Sequence, residues 1–124
     1  MYFAYGSSFL LNVTSEASGV GGGVLLRAIE PQEGIELMAG TCATIRPADV
    51  GRGPGRLTKA LQVDLRQDGL DLCAPGPLWL AATEQRTGTI NKSVRIGITR
   101  NAHRLLRFYE RGNSHVSGPK SLRR

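Results

Sequence analysis

Apolar sequence in this chain comes in short runs, several of them set off by glycine or proline, and that punctuation limits what the chain can build. Val24, Leu25, Leu26, Ala28 and Ile29 form a compact run around Arg27 that stops at Glu30-Pro31. Gly21-Gly22-Gly23 stands before it, Gly51-Arg52-Gly53-Pro54-Gly55 after it, and Pro75-Gly76-Pro77 further on. Proline removes a backbone donor and glycine weakens a helix by about 1 kcal/mol, so the elements must be short. No run approaches the roughly 18 apolar residues of a membrane span. The start at Met1-Tyr2-Phe3 has no basic region and does not read as a signal peptide. At 124 residues, 40% hydrophobic and 21% charged, the composition is that of one globular domain, residues 1–124.

Residues 2–13 read as two short strands about a Gly6-Ser7-Ser8 turn, because aromatic and β-branched residues flank a Gly/Ser cluster. Residues 24–29 predict a buried strand. Ile35, Met38, Ala39 and Cys42 recur at helical spacing behind Glu33 and Glu36, which suit a helix N-terminus, so residues 31–43 predict a helix. Leu57, Ala60 and Leu61 share one face of a second short helix over residues 56–63. Residues 78–80 predict a strand around Trp79. Val94, Ile96 and Ile98 alternate with Arg95 and Gly97 as a half-buried strand, and residues 105–109 predict another. Residues 114–124 read as an irregular basic tail. The expected fold class is mixed α/β (α+β), with a sheet larger than its helices.

The charge is uneven. Lys and Arg number 16 and Asp and Glu 10, a net +6 with pI near 10.0. Up to Gln62 five bases balance five acids; from Ile90 onward nine bases stand against Glu110 alone. That asymmetry points to a polyanionic partner, with a merely solvated basic surface as the alternative. The two cysteines, Cys42 and Cys73, are far apart and form no C-x-x-C, which argues against a disulfide scaffold or a zinc site and predicts buried apolar roles. His103 and His115 lie in basic polar stretches and read as exposed.

Four stretches, in order and in register, resemble the alkyladenine (3-methyladenine, methylpurine) DNA glycosylase family. Tyr2, Tyr5, Gly6, Asn12 and Val13 are similar to its Y-x-x-Y-G-x-x-x-x-x-N-[VI] hairpin. Val24, Leu25, Leu26, Arg27, Ala28, Glu30 and Pro31 match V-L-L-R-A-x-E-P. Gly53, Pro54, Leu57, Ala60 and Leu61 match G-P-x-x-L-x-x-A-L. Arg95, Ile96, Gly97 and Ile98 are followed by Leu106, Arg107, Phe108, Tyr109, Arg111, Gly112, Val116 and Ser117. The resemblance implies a mainly antiparallel curved sheet flanked by short helices, similar to the C-terminal domain of formyltransferases. It implies a metal-free, cofactor-free hydrolase of base-excision repair. That enzyme flips an alkylated or deaminated purine from duplex DNA and hydrolyses its N-glycosidic bond.

The resemblance also implies roles. Tyr5 would wedge into the gap left by the flipped base. Tyr2 would stack on a base that is cationic when alkylated, Asn12 would crowd the 2-amino group of guanine, and Leu25 would line the pocket. Arg27 would lie beside the nucleophilic water and a DNA phosphate, and the Ile96 backbone carbonyl would help hold that water. Arg56, Lys59, Arg95 and Arg107 would meet phosphates. Read alone, Tyr5 is an ordinary hairpin aromatic, Leu25 a core residue and each cation a surface charge.

The chemistry also needs a carboxylate. The family carries it upstream of the hairpin in a V-E-x-E-A-Y-like strand, and none of this chain's acids takes that role. The expectation is a C-terminal, larger part of the family domain without its N-terminal segment, and therefore without base excision of its own. A start assigned too far downstream is the favoured account, ahead of a natural remnant or a cut piece. A monomer in the bacterial cytoplasm, associated with the nucleoid and not with a membrane, is expected. A small non-catalytic DNA- or RNA-binding protein is the alternative.

Overall fold

The computed structural model describes residues 2–4, 8–14, 19, 21–40, 46–85, 87–96 and 99–119, with backbone only for residues 2–4 and 8. Strand β1 (Tyr2–Ala4) pairs antiparallel with β2 (Ser8–Leu10), Phe3 opposite Phe9. Strand β3 (Asn12–Val13) pairs antiparallel with β4 (Val24–Leu25), Asn12 opposite Leu25. Leu26 N–H donates to Leu11 O at 3.0 Å and carries that ladder one step further. Leu10 and Leu11 are adjacent yet both 6% exposed. Successive residues of a flat strand point to opposite faces, so the chain turns its other face inward here, between β2 and β3.

Helix α1 (Ile35–Gly40) buries none of its residues, whereas helix α2 (Pro54–Leu61) anchors the core. Pro54 starts α2 because its missing N–H falls where no intrahelical acceptor exists. Gln62 stops it in the left-handed region, its N–H returning to Lys59 O and Thr58 O. Leu57 is fully buried and packs with Leu11 and Val63; Leu26, Ile29, Leu61 and Leu78 close around them. Thr58, 2% exposed, donates its hydroxyl to Phe9 O at 2.9 Å or to Gly55 O at 3.0 Å, and the first bond ties α2 to β2. Gly51 lies at φ 75°, where a Cβ would stand 2.7 Å from Ile29 Cγ1. Only glycine lets this turn approach the strand closely enough for Ile29 N–H to reach Gly51 O at 3.1 Å.

Strand β5 (Ile90–Ser93) and strand β6 (Arg107–Glu110) form a third antiparallel pair, with Lys92 opposite Phe108 and Ser93 opposite Arg107. Single 3₁₀ turns occupy Pro47–Asp49 and Leu65–Gln67, the second held by a capping box between Asp64 and Gln67. Short antiparallel strand pairs with few helices make an α+β fold. Among the described residues the strands form three two-stranded ladders, not one continuous curved sheet. No described helix is long and apolar enough to cross a membrane.

Four local expectations change. The apolar run at 24–29 pairs as a strand only over Val24–Leu25, with Val24 51% exposed, and then bridges to the second turn through Ala28 and Arg52. Residues 78–80 are not a strand: Trp79 and Leu80 are exposed, and Leu80 N–H bonds Leu72 O across an irregular loop. The strand expected from Val94 onward lies earlier, at Ile90–Ser93, because β6 pairs with that stretch. Residues 97 and 98 lie outside the described residues, as do 41–45, where the first helix was expected to continue. Cys73 is exposed, not buried, and Cys42 is outside the described residues.

Candidate functional site

The β3–β4 ladder brings Asn12 and Leu25 directly opposite one another. Opposed residues of an antiparallel pair project their side chains to the same face. Arg27 follows Leu25 by two residues, just past the last ladder hydrogen bond, from Leu26 N–H to Leu11 O. Asn12, Leu25 and Arg27 are all half-buried. Asn12 Nδ2 and Arg27 Nε are buried, and neither has a hydrogen-bond partner among the described residues. An unmet buried donor costs about 1–3 kcal/mol, and an external acceptor would satisfy each of them.

Tyr2 stands opposite Leu10 in the adjoining β1–β2 pair. Its side chain, and all of Tyr5, lie outside the described residues.

Ile96 belongs to the β5–β6 end of the chain and is half-buried. Its side chain lies against Gly118, whose φ of 96° and lack of a Cβ permit the contact. The 114–118 segment that holds Gly118 also meets Arg52 and Glu30. Arg52, paired through the Ala28 bridge, donates to Ser114 O and forms an ion pair with Asp49 at 2.7 Å. His115 Nδ1 lies 3.4 Å from Glu30 Oε1 and 3.3 Å from Asn113 Oδ1. His115 is therefore half-buried and engaged, not solvent-exposed as the sequence suggested; His103 is exposed. Glu30 also accepts from Gln32 Nε2 at 3.2 Å. Sequence reasoning did not single out Arg52, Glu30 and His115 for this tie. The only cue is the bracketing of Arg52 by glycines, which points to a close backbone approach.

The four expected phosphate contacts divide. Arg56 and Lys59 are exposed on α2. Arg95 is half-buried; it donates from Nη2 to Arg100 O at 2.8 Å, and its Nε has no partner among the described residues. Arg107 departs from the surface role. It is 4% exposed, donates from Nη1 to Ser93 Oγ at 2.9 Å and from Nη2 to Ser117 O, and lies 4.6 Å from the Tyr109 ring centre. Its guanidinium is consumed in joining β5, β6 and the 116–118 segment, because in β6 its side chain points to the packed face. Asp49 is held below the ordinary aspartate value by its hydrogen bond from Arg46 and by the charges of Arg46, Arg52 and Arg56.

The chain matches the family model of methylpurine-DNA glycosylase over residues 1–114. Its curated relatives include several named "Putative 3-methyladenine DNA glycosylase". That of Mesorhizobium japonicum is 57% identical over 98% of this chain and 59% of its own length. That of Paraburkholderia phytofirmans is 45% identical over 95% and 55%. That of Chlorobium phaeobacteroides is 37% identical over 98% and 61%. The chain thus spans about three-fifths of the length of the curated relatives it matches.

Proposed function

The chain belongs to the methylpurine-DNA glycosylase family, and on that premise we propose that it forms the base-receiving and DNA-binding part of a base-excision-repair enzyme. Its substrate is duplex DNA holding an alkylated or deaminated purine, of the 3-methyladenine, 7-methylguanine and hypoxanthine class. The observation that carries this reading is Asn12, set opposite Leu25 with a buried amide that has no described partner. A flipped purine supplies ring-nitrogen acceptors where Asn12 holds an unmet donor, and water or a phosphate supplies one to Arg27, which helps offset the few kcal/mol of unstacking.

In this reading Leu25 walls the slot, Tyr2 stacks on the base and Tyr5 fills the gap in the duplex. Asn12 crowds the 2-amino group of a normal guanine and lowers its excision, a penalty that the labile glycosidic bond of cationic 7-methylguanine offsets. Arg27 sits beside the attacking water and a phosphate, and the Ile96 carbonyl holds that water. Water adds to the sugar C1′ as the C1′–N bond breaks, and the base leaves. Arg56, Lys59 and Arg95 position the duplex through phosphates. The carboxylate that accepts the water's proton is assigned to none of the acids of these 124 residues. Glu30, close in sequence to Arg27, is engaged by His115 and Gln32.

The test is duplex binding and base release by the 124-residue chain. Tighter binding to a hypoxanthine duplex than to a normal one, without release of base, is the expected outcome. Release of hypoxanthine or 3-methyladenine would overturn the assignment of no carboxylate. Equal affinity for damaged and normal duplexes would instead favour a non-catalytic nucleic-acid-binding protein, the reading the basic C-terminal third also supports.

A further inference from the structure

Arg27 lies where its run of chain changes partner. Leu26 N–H reaches Leu11 O at 3.0 Å, beside strand β3. From Ala28 the run turns to the second turn instead: Ala28 bridges antiparallel to Arg52, and Ile29 N–H reaches Gly51 O at 3.1 Å. Arg27 thus sits between two different backbone supports. Its Nε is buried with no hydrogen-bond partner among the described residues. A long, rotamer-rich side chain whose buried donor is unheld is placed only as well as the backbone that carries it.

Arg52 closes the second of those supports. Its N–H reaches Asp49 O at 3.1 Å, and its Nη1 pairs with Asp49 Oδ1 at 2.7 Å. Its Nη2 donates to Ser114 O, which ties the turn to the 113–118 segment. His115, next along that segment, has Nδ1 3.4 Å from Glu30 Oε1, so the same segment meets the run again just past Arg27. The Arg52 side chain is 18% exposed, and its Nε is buried. A planar guanidinium serves a carboxylate and a carbonyl at once; a lysine ammonium cannot hold that fork.

We propose that Arg52 is a positioning residue for Arg27. Its fork fixes the turn on which the run past Arg27 rests, and through that backbone sets where the Arg27 guanidinium meets phosphate and water. The proposal rests on the role given to Arg27 under the proposed function. Arg52 acts through Arg27 and not as a DNA contact, because both of its Nη groups are engaged inside the fold.

The experiment first follows the Arg27 Nε–H cross-peak in NMR spectra of the isotope-labelled 124-residue chain, assigned by its loss in Arg27→Ala. In the native chain this peak is expected apart from those of the exposed Arg56, Arg100 and Arg104. Arg52→Ala should move it to their position, while the amide peaks of Leu57 and Thr58 in the core hold theirs. Arg52→Lys should move it part of the way, and carries the same readout if Arg52→Ala does not fold. An unmoved Arg27 peak overturns the proposal. So do shifts at Leu57 and Thr58 as large as the one at Arg27, which would make Arg52 a general support of the fold.

Duplex titration of the same variants completes a cycle. Arg27→Ala and Arg52→Ala should each weaken binding to a hypoxanthine duplex about tenfold, and the double variant should bind no more weakly than Arg27→Ala alone. Losses that multiply in the double variant overturn the proposal, since Arg52 would then act without Arg27. Unchanged duplex affinity in Arg27→Ala removes the role given to Arg27 under the proposed function, while the cross-peak still decides whether Arg52 places it, so the two readings fail separately.

Discussion

Asn12 and Leu25 face each other across the β3–β4 ladder, and the asparagine amide nitrogen is buried there with no hydrogen-bond partner among the described residues. A site that receives a polar ligand holds such a group at the expense of the fold. Asn12→Leu should therefore raise unfolding stability by about 1 kcal/mol, since it replaces an unmet donor by an apolar group of similar size. The same change should abolish preference for a hypoxanthine duplex. Urea denaturation and duplex titration together check the trade; a stability loss would mean that the amide is engaged.

Arg107 and the exposed cations of α2 should separate cleanly. Arg107→Ala removes the fork that holds Ser93 Oγ and Ser117 O and should destabilise the chain by about 2–4 kcal/mol. Arg107→Lys should recover only part of this, because an ammonium cannot reproduce the planar fork. Arg56→Ala and Lys59→Ala should shift stability by less than about 0.5 kcal/mol. Each should lower the salt slope of duplex binding by about one.

Thr58→Val should cost about 1 kcal/mol. The shape is nearly unchanged, but Phe9 O loses its side-chain donor at a position 2% exposed. Thermal unfolding would register this as a drop of several degrees.

Gly118→Ala tests the tie between the 114–118 segment and Ile96. Its φ of 96° disfavours any side chain, and a Cβ would run into the Ile96 side chain. A loss of more than about 1 kcal/mol is expected, with shifts in the Ile96 methyl resonances. An unmoved Ile96 would overturn the contact between Ile96 and Gly118.

Acid should weaken the fold through two aspartates. Asp49 is held below 3.8 first by its hydrogen bond from the Arg46 side chain. Asp64 is held below 3.8 first by its hydrogen bond from the Arg66 side chain and then by the Arg66 backbone N–H. A depressed carboxylate stabilises the native state above its unfolded value and loses that contribution as pH falls through the folded one. The thermal midpoint should therefore be level above about pH 5 and decline below pH 4. The double variant Asp49→Asn, Asp64→Asn should decline less steeply.

What could be read without coordinates is what neighbours in the chain decide. The hairpin at residues 2–13 and helix α2 follow from turn chemistry, Pro54 and the spacing of Leu57, Ala60 and Leu61, all within a few residues. The charge excess after Ile90 needs only counting. Asn12, Leu25 and Arg27 were legible as a set through resemblance, but their opposition required the register of β3 against β4. The remainder depends on partners far along the chain. Arg107 is a surface cation by composition; Ser93, 14 residues away, and Ser117, 10 away, make it an interior one. Arg52 finds Ser114 across 62 residues, and no periodicity encodes that meeting. Strand β5 lies at Ile90–Ser93, just before the alternating stretch, where it pairs with β6, and Val94–Ile96 are not in a strand. Sequence alone determined where the chain turns, where it coils into α2 and where its charge accumulates, because those depend on local sterics and composition. Tertiary structure decided which polar groups are paired, which are buried unmet and which apolar faces stay open, because each depends on surfaces brought together from distant segments.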